Sequence, residues 1–206
     1  MTVEPDTATP DLDADFALLT AAVREAGALA LRHFGGDVRV WRKKHGEPVS
    51  EADIAVNDLL RERLSGSRPG YGWLSEESDD DPARLEAQCV WMADPIDGTR
   101  AFLNGTPEFT VSVALVVAGE PAAAIVFNPA SDEFFAALRG RGASLNGEAI
   151  GVSRRTSLAG ARVLTKPGAF KRARDSAAAA RARGCVRAAA ASRRIAPATP
   201  GAHGQT

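Results

Sequence analysis

The sequence predicts an α+β domain in which helices pack on one face of a mostly antiparallel sheet. Two helical patterns come first, because apolar residues recur at steps of three and four within residues 16–34 and again within residues 54–64. Short apolar and alternating β-branched segments follow from Tyr71 to Glu148, with turn signals between them. Helices followed by strands that return on themselves are typical of an α+β layer.

The two predicted helices have recognisable ends. Asp15 is expected to cap the first helix, and Gly35-Gly36 supplies its stop. The second helix is expected to start at Ser50, because the residues Ser-Glu-Ala-Asp at 50–53 fit a capping box. It is expected to end near Ser65-Gly66, where a turn signal follows.

The strand region is predicted to be a meander. The predicted strands are Tyr71 to Leu74, Cys89 to Ala93, Phe109 to Val117, Ala122 to Asn128 and Glu133 to Leu138. An Asn-Gly pair at residues 146–147 favours a tight hairpin after them. The first two strands share a further feature, since each delivers acidic residues at its C-terminal end.

Composition and charge narrow the functional classes. The chain has 206 residues, 45% of them hydrophobic, and contains no apolar run long enough to span a membrane. The N-terminal segment is acidic and contains proline, unlike a signal peptide, so we expect a cytoplasmic location and no membrane partner. Two cysteines and three histidines form no metal-binding spacing, so any bound metal is expected to have oxygen ligands, which favours Mg²⁺.

The segment Asp94-Pro-Ile-Asp-Gly-Thr99 carries the strongest chemical signal. Pro95 is expected to end the strand, so that both aspartates and the Ile96 carbonyl aim at one cation. Backbone amides of Gly98 and Thr99 are then free to meet an anion. The Thr99 hydroxyl and the Glu76 carboxylate are placed to orient a water for attack on phosphorus.

Ordinary structural explanations compete with this interpretation. Asp53 is equally well explained as the partner of the Ser50 cap, and the three consecutive acids at 79–81 as a solvated loop. Asp94 and Asp97 are harder to explain in that way, because they end a strand that should be buried, where an unpaired carboxylate is costly.

Three motifs together resemble the inositol monophosphatase superfamily of magnesium-dependent, lithium-sensitive phosphatases. They are DPIDGTR at 94–100, LSEES at 74–78 and VSEAD at 49–53. The resemblance implies a layered α/β sandwich of the sugar-phosphatase type, acting on a small phosphorylated metabolite through metal-activated water. Two or three Mg²⁺ ions and inhibition by Li⁺ are expected with it, and a homodimer is left open.

The resemblance also assigns roles to residues. It implies that Glu76, Asp94 and the Ile96 carbonyl hold a first metal and that Asp94 and Asp97 hold a second. Glu76, Thr99 and Asp53 are the expected catalytic residues, with Asp53 tuning the site. Asp97, Gly98 and Thr99 are the expected substrate-binding residues.

The resemblance ends before the chain does. We expect a flexible N-terminus at 1–13, a phosphatase N-terminal domain at 14–168 and an Ala/Arg-rich tail at 169–206, disordered or loosely helical and unrelated to the family. Residues 170–206 carry a net charge of +7, against −8 in the rest of the chain. The family's second α/β domain and its late W-D-x-A-A-G-like motif are missing, which we interpret as the result of a shifted reading frame or a comparable truncation.

Several functions stay open on these observations. The first is hydrolysis of an inositol monophosphate-type substrate, impaired by the missing domain. The second is a 3′(2′),5′-bisphosphate nucleotidase, since PEFTVSVALV at 107–116 is similar to that branch. The third is an inactive metal-binding fragment. A nucleic-acid partner for the basic tail is not expected, because no aromatic residues are interleaved with its arginines.

Overall fold

A computed structural model describes residues 10–43 and 46–157, together with the backbone of residues 162–163 and 187–188. The chain divides into two compact units, Met1–Ala149 and Ile150–Thr206. Among the described residues, no helix is both long enough and apolar enough to cross a membrane.

Three α-helices and one short 3₁₀ turn are present in the described part of the chain. The α-helices are α1 (Leu12–His33), α2 (Glu51–Ser67) and α3 (Thr99–Leu103), and the 3₁₀ turn is Pro82–Leu85. The strands are β1 (Val40–Arg42), β2 (Pro48–Ser50), β3 (Gly72–Ser75), β4 (Cys89–Asp97), β5 (Thr110–Val117), β6 (Glu120–Asn128), β7 (Glu133–Leu138), β8 (Gly142–Leu145), β9 (Glu148–Ile150), β10 (Arg162–Val163) and β11 (Arg187–Ala188).

Seven strands form the main sheet, in the order β3-β4-β5-β6-β7-β8-β9. β3 and β4 are parallel, whereas each neighbouring pair from β4 to β8 is antiparallel. β1 and β2 form a separate antiparallel hairpin. Together with the helices packed on the sheet, this arrangement confirms the predicted α+β fold class.

The start of α1 differs from the prediction. Asp11, not Asp15, caps the helix, because its side chain accepts hydrogen bonds from the amides of Asp13 and Ala14. Asp15 lies within the first turn and is fully buried. It accepts hydrogen bonds from Arg68 Nε at 2.7 Å and from the Tyr71 hydroxyl at 2.8 Å. The prediction for Asp15 was wrong because a buried acid partnered across the fold cannot be distinguished locally from a cap.

The start of α2 matches the predicted capping box. One carboxylate oxygen of Asp53 accepts hydrogen bonds from the Ser50 amide at 2.8 Å and from the Ser50 hydroxyl at 2.5 Å. The N-cap and N3 positions therefore fix the first turn of the helix. This turn carries Asp53 into the buried interior, where it is 1% exposed.

The core lies between the two long helices and one face of the sheet. Along β5, half-buried and buried residues alternate strictly, as expected for a strand with one covered face. Gly27 lies close against the sheet, because a Cβ atom there would lie 2.4 Å from the Phe127 ring. Fully buried side chains that fill this layer include Leu19, Leu60, Trp91, Leu115 and Ile125.

The second unit is described only in part. Residues 151–157 are exposed and have no regular structure, and β10 pairs with β11 in parallel. The predicted tail at 169–206 lies outside the described residues apart from β11. The predicted flexible segment at 1–13 is described only from residue 10, and α1 already begins at Leu12.

Candidate metal centre

The parallel pairing of β3 and β4 brings the two predicted acidic segments together. Ser75 pairs with Ala93 in the parallel ladder, so Glu76 and Asp94 are the next residues on the two strands. The Glu76 amide then donates a 3.2 Å hydrogen bond to the Ala93 carbonyl. Glu76 and Asp94, which are 18 positions apart in the sequence, therefore follow the same pair of the ladder, one on each chain segment.

Pro95 was expected to end the strand, and this expectation was wrong. β4 continues to Asp97, but its register with β5 shifts: Asp94 pairs with Ser112 and Asp97 with Thr110. β4 thus uses three steps where β5 uses two, which is the signature of a β-bulge. Proline has no amide hydrogen to donate to the ladder, so pairing is interrupted at Pro95 while the chain stays extended.

The bulge has a direct consequence for the two aspartates. Residues three apart on a regular strand point to opposite faces of the sheet. The extra residue in β4 cancels that alternation, and both Asp94 and Asp97 line one pocket.

Helix α2 approaches the site from the other side through Asp53. The Thr99 hydroxyl lies 3.2 Å from Asp53 Oδ1 and 3.1 Å from the Ile96 carbonyl oxygen, so its single proton is shared between two acceptors. Asp53 therefore serves two functions, because one of its oxygens holds the Ser50 cap while the other meets Thr99. The capping explanation of Asp53 is confirmed, and its role in the site stays a prediction.

Gly98 makes the turn between β4 and α3 feasible. Its φ is +92°, in the left-handed region that favours glycine. A Cβ atom at this position would lie 2.7 Å from the Glu108 carbonyl oxygen. Glycine is therefore required here both by conformation and by space.

These elements surround a pocket of about 260 Å³. The residues lining it are Lys43, Glu47, Pro48, Glu76, Glu77, Asp94, Ile96, Asp97, Gly98, Thr99 and Arg100. All of the predicted metal-binding and substrate-binding residues are among them. Asp53 is not in the lining, but it accepts a hydrogen bond from the Thr99 hydroxyl, and Thr99 is in the lining.

The pocket concentrates negative charge in a partly buried place. Burial first, and then the nearby charges of Glu76 and Asp97, together raise the pKa of Asp94 from its ordinary 3.8 to about 7. Burial also raises the pKa of Glu77, although Lys43 acts in the opposite direction. A carboxyl group in such a place is stabilised by a cation.

Lys43 is the cation that reaches these acids in the structure. Its Nζ lies 2.7 Å from Glu77 Oε1 and 3.5 Å from Glu76 Oε1, and it donates to the Glu76 carbonyl at 3.1 Å. Burial lowers the pKa of Lys43, but Glu77 and Glu76 together raise it by more, so the net shift is upward.

The donor set fits a hard divalent cation. Every ligand candidate is an oxygen atom, from the carboxylates of Glu76, Asp94 and Asp97 and from the Ile96 carbonyl, which is the chemistry Mg²⁺ prefers. As the side chains lie, no three acidic, histidine or cysteine groups in the described part of the chain converge closely enough to hold a metal. The raised pKa of Asp94 and the shared pocket favour a cation site.

No pattern recognised in the sequence indicated a role for Lys43, Glu77 or Asn57. Lys43 follows the exposed strand β1 and has no local pattern that marks it. Glu77 was recognised as an acid of the segment, but not as the partner of a lysine 34 residues away. Asn57 stands one helical turn after Asp53, and that spacing is the only signal that could have identified it.

Fold and site together define a protein of the sugar-phosphatase type of α+β fold, and sequence comparison identifies the family. The family model described as the inositol monophosphatase family matches residues 11–198. The chain belongs to this family. The match extends beyond residue 168, where the sequence analysis placed the end of the family-like region, and that boundary stays a prediction.

Individual relatives agree with this assignment. The chain is 41% identical over 150 residues to inositol-1-monophosphatase of Rhizobium meliloti, covering 72% of this chain and 56% of that protein. It is 38% identical over 146 residues to histidinol-phosphatase of Chlorobaculum parvum, covering 70% of this chain and 54% of that protein. The crystal structure of the extragenic suppressor protein SuhB from Bartonella henselae has a TM-score of 0.68 and 34% identity, covering 75% of this chain and 62% of that one.

These coverages share one feature. The chain spans about half the length of the curated relatives it matches. The comparisons therefore establish the family and the fold of the region that carries the pocket.

Proposed function

We propose that this chain carries the metal-binding half of a Mg²⁺-dependent phosphomonoesterase. The observation that supports this most strongly is the bulge in β4, which turns Asp94 and Asp97 toward one pocket beside Glu76. A fold that only needed a stable sheet would gain nothing from two crowded carboxylates at this edge. Their arrangement is explained by a cation and by the anionic substrate that the cation attracts.

The residues of the chain have separate tasks in this proposal. Glu76, Asp94, Asp97 and the Ile96 carbonyl hold the cations. When bound, Mg²⁺ supplies Lewis acidity and offsets the charge of the phosphate oxygens. Gly98 and Thr99 line the same pocket and are placed to receive the phosphate through their backbone amides.

Proton handling is assigned to Thr99, Asp53 and Glu76. The Asp53 carboxylate accepts a hydrogen bond from the Thr99 hydroxyl at 3.2 Å, which leaves the hydroxyl oxygen as an acceptor for a water in the pocket. Glu76 lines the same pocket and is the second acceptor for that water. With both hydrogens donated to these acceptors, the lone pairs of the water oxygen are free to face phosphorus.

The substrate we propose is an inositol monophosphate-type small phosphomonoester. Support comes from the R. meliloti relative, whose name states that activity. The pocket is polar and has basic residues, Lys43 and Arg100, in its lining, which suits a small anion.

Phosphate release from a panel of monoesters tests the proposal. The panel contains inositol 1-phosphate, histidinol phosphate and a 3′,5′-bisphosphate nucleotide, each with and without Mg²⁺. We expect magnesium-dependent release that is lost in Asp94→Asn and inhibited by Li⁺. Preference for the nucleotide would favour the bisphosphate nucleotidase alternative, and no release above background with any substrate would identify a non-catalytic fragment.

A further inference from the structure

One buried amide connects helix α2 to both ends of the Glu76-Glu77 segment. Asn57 is 3% exposed and lies four residues after Asp53, on the same face of the helix. Its Oδ1 accepts a 2.6 Å hydrogen bond from the Ser75 hydroxyl, directly before the two acids. Its Nδ2 donates to the Ser78 hydroxyl at 3.1 Å, directly after them.

Each of the two serine oxygens also accepts a hydrogen bond from another residue of the same region. The Ser75 hydroxyl oxygen accepts a hydrogen bond from the Glu77 amide at 3.2 Å. The Ser78 oxygen also accepts a hydrogen bond from the Trp73 indole at 3.3 Å. The backbone that carries Glu76 and Glu77 is thus held at both ends by one side chain of α2.

We propose that Asn57 is a positioning residue that fixes the Glu76-Glu77 segment and thereby sets the orientation of Glu76 toward the cation. This inference rests on the proposed function, because that function gives Glu76 a cation to meet. The same face of α2 then organises both walls of the pocket: Asp53 holds Thr99 on one wall, and Asn57 holds the acidic segment on the other.

The chemistry of the amide suits this position. A carboxamide offers an acceptor and a donor side by side, and the two serines use both. A carboxylate would satisfy Ser75 but would add a charge beside Glu77, whose pKa burial already raises. An apolar side chain would leave the buried Ser75 hydroxyl, 7% exposed, without its short partner.

Two substitutions, one more disruptive to the hydrogen bonds than the other, test the inference. Asn57→Ala removes the bonds to both serines. Ser75→Ala leaves the Ser78 bond in place and removes the bond to Asn57 together with the acceptor of the Glu77 amide, which keeps the test available if the first variant folds poorly. Tyr71→Phe is the matched control, because it removes one hydrogen bond to buried Asp15 near the opposite end of β3. It is expected to cost stability without touching the acidic segment.

Two measurements on the full chain are made for each variant. The dissociation constant for Mn²⁺ is measured by electron paramagnetic resonance of the free ion, and hydrogen exchange of the Glu77 amide is measured in EDTA. We expect Asn57→Ala and Ser75→Ala to weaken Mn²⁺ binding by about 10- to 100-fold, as partners of metal ligands do, and to speed the exchange. Asn57→Asp keeps acceptors for both serines and should restore most of the protection, whereas Tyr71→Phe should match the wild type in both.

The outcomes separate the two proposals. Wild-type Mn²⁺ affinity in both Asn57→Ala and Ser75→Ala overturns the positioning role, even if Glu77 exchange becomes faster. Equal weakening in Tyr71→Phe also overturns it, because general destabilisation then accounts for the loss. Failure of the wild-type chain to bind Mn²⁺ contradicts the proposed function itself.

Discussion

In the absence of metal, the surroundings of Asp94 disfavour the charged carboxylate that the proposed function requires. Its carboxyl group is half-buried beside Glu76 and Asp97, and its pKa is raised to about 7. The folded state therefore binds a proton that the unfolded state releases at an ordinary pKa of 3.8. Its contribution to stability is present at low pH and is lost as the pH rises from about 4 to about 7.

Asp94→Asn should remove that pH dependence and the response to Mg²⁺ together. In EDTA we expect the variant to gain stability relative to the wild type as the pH rises through this window. With Mg²⁺ the wild type should gain stability that grows with metal concentration, and the variant should not. Thermal unfolding across pH measures both effects.

The control for this experiment is Asp37→Asn, an exposed acid outside the pocket. It should follow the wild type at every pH and metal concentration. A Mg²⁺-dependent rise in the midpoint of Asp94→Asn as large as that of the wild type would show that the cation binds elsewhere.

Thr99 offers a second test at the level of one hydroxyl group. Thr99→Val keeps the shape of the side chain but removes the proton shared by Asp53 and the Ile96 carbonyl. We expect phosphate release to fall by about 10²-fold, the usual range for loss of a positioned proton carrier. Thr99→Ser should retain most of the rate, and Thr106→Val, which removes an exposed hydroxyl bonded to the Ala101 carbonyl, should retain all of it. A Thr99→Val rate equal to that of Thr106→Val would remove Thr99 from the mechanism.

Among the elements, the turn between β4 and α3 is the most constrained. Gly98 combines a φ of +92° with a 2.7 Å approach of its missing Cβ to the Glu108 carbonyl. Gly119 has a similar φ of +79°, but nothing lies within 4 Å of its missing Cβ. Comparing Gly98 with Gly119 therefore separates the conformational cost of adding a Cβ atom from the cost of the clash that it makes.

Gly98→Ala should therefore destabilise the chain more than Gly119→Ala. The conformational cost is about 1–2 kcal/mol for either alanine, and only at Gly98 must backbone also move to relieve a clash. Denaturant unfolding gives the two losses, and phosphate release should fall only in Gly98→Ala. Equal losses in the two variants would mean that the turn tolerates displacement and that the close approach has no role.

Features that depend on residues close together in the chain could be predicted from the sequence, whereas features that depend on distant residues could not. The Ser50 box and the Asn146-Gly147 hairpin depend on residues within a few positions, and both were predicted. The bulge at Pro95 depends on pairing with β5, so the sequence indicated an interruption but not its form. The partners of Asp15 lie more than 50 residues away, and no local pattern carries them.

Across the whole molecule, the sheet has two different faces. One is covered by α1 and α2, and the other carries a row of apolar residues that are paired from strand to strand. The row consists of Leu74, Met92, Ala114, Ala124, Ala137 and Ala143. Met92 is 41% exposed and the nearby Val126 is 37% exposed, so this face presents apolar surface to solvent. Such a surface favours association.

Replacing both exposed residues should reduce that association. Met92→Thr with Val126→Thr places β-branched side chains suited to a strand at both positions while removing apolar area. Light scattering as a function of concentration should show less self-association than the wild type. Leu85→Thr is the control, because Leu85 is 69% exposed but lies in the 3₁₀ turn. If the control reduced scattering equally, general surface hydrophobicity rather than this face would be responsible.

The sequence by itself determined the kind of layer and the family, and it predicted Glu76, Asp94 and Asp97 as acids of the site. Those properties follow from hydrophobic periodicity and short motifs, which depend on residues close together along the chain. Only the tertiary structure decided which way Asp94 and Asp97 face, that Lys43 reaches Glu77, and that Asn57 holds the acidic segment. Each of these depends on the pairing of strands or the docking of a helix, which joins residues that the chain itself keeps apart.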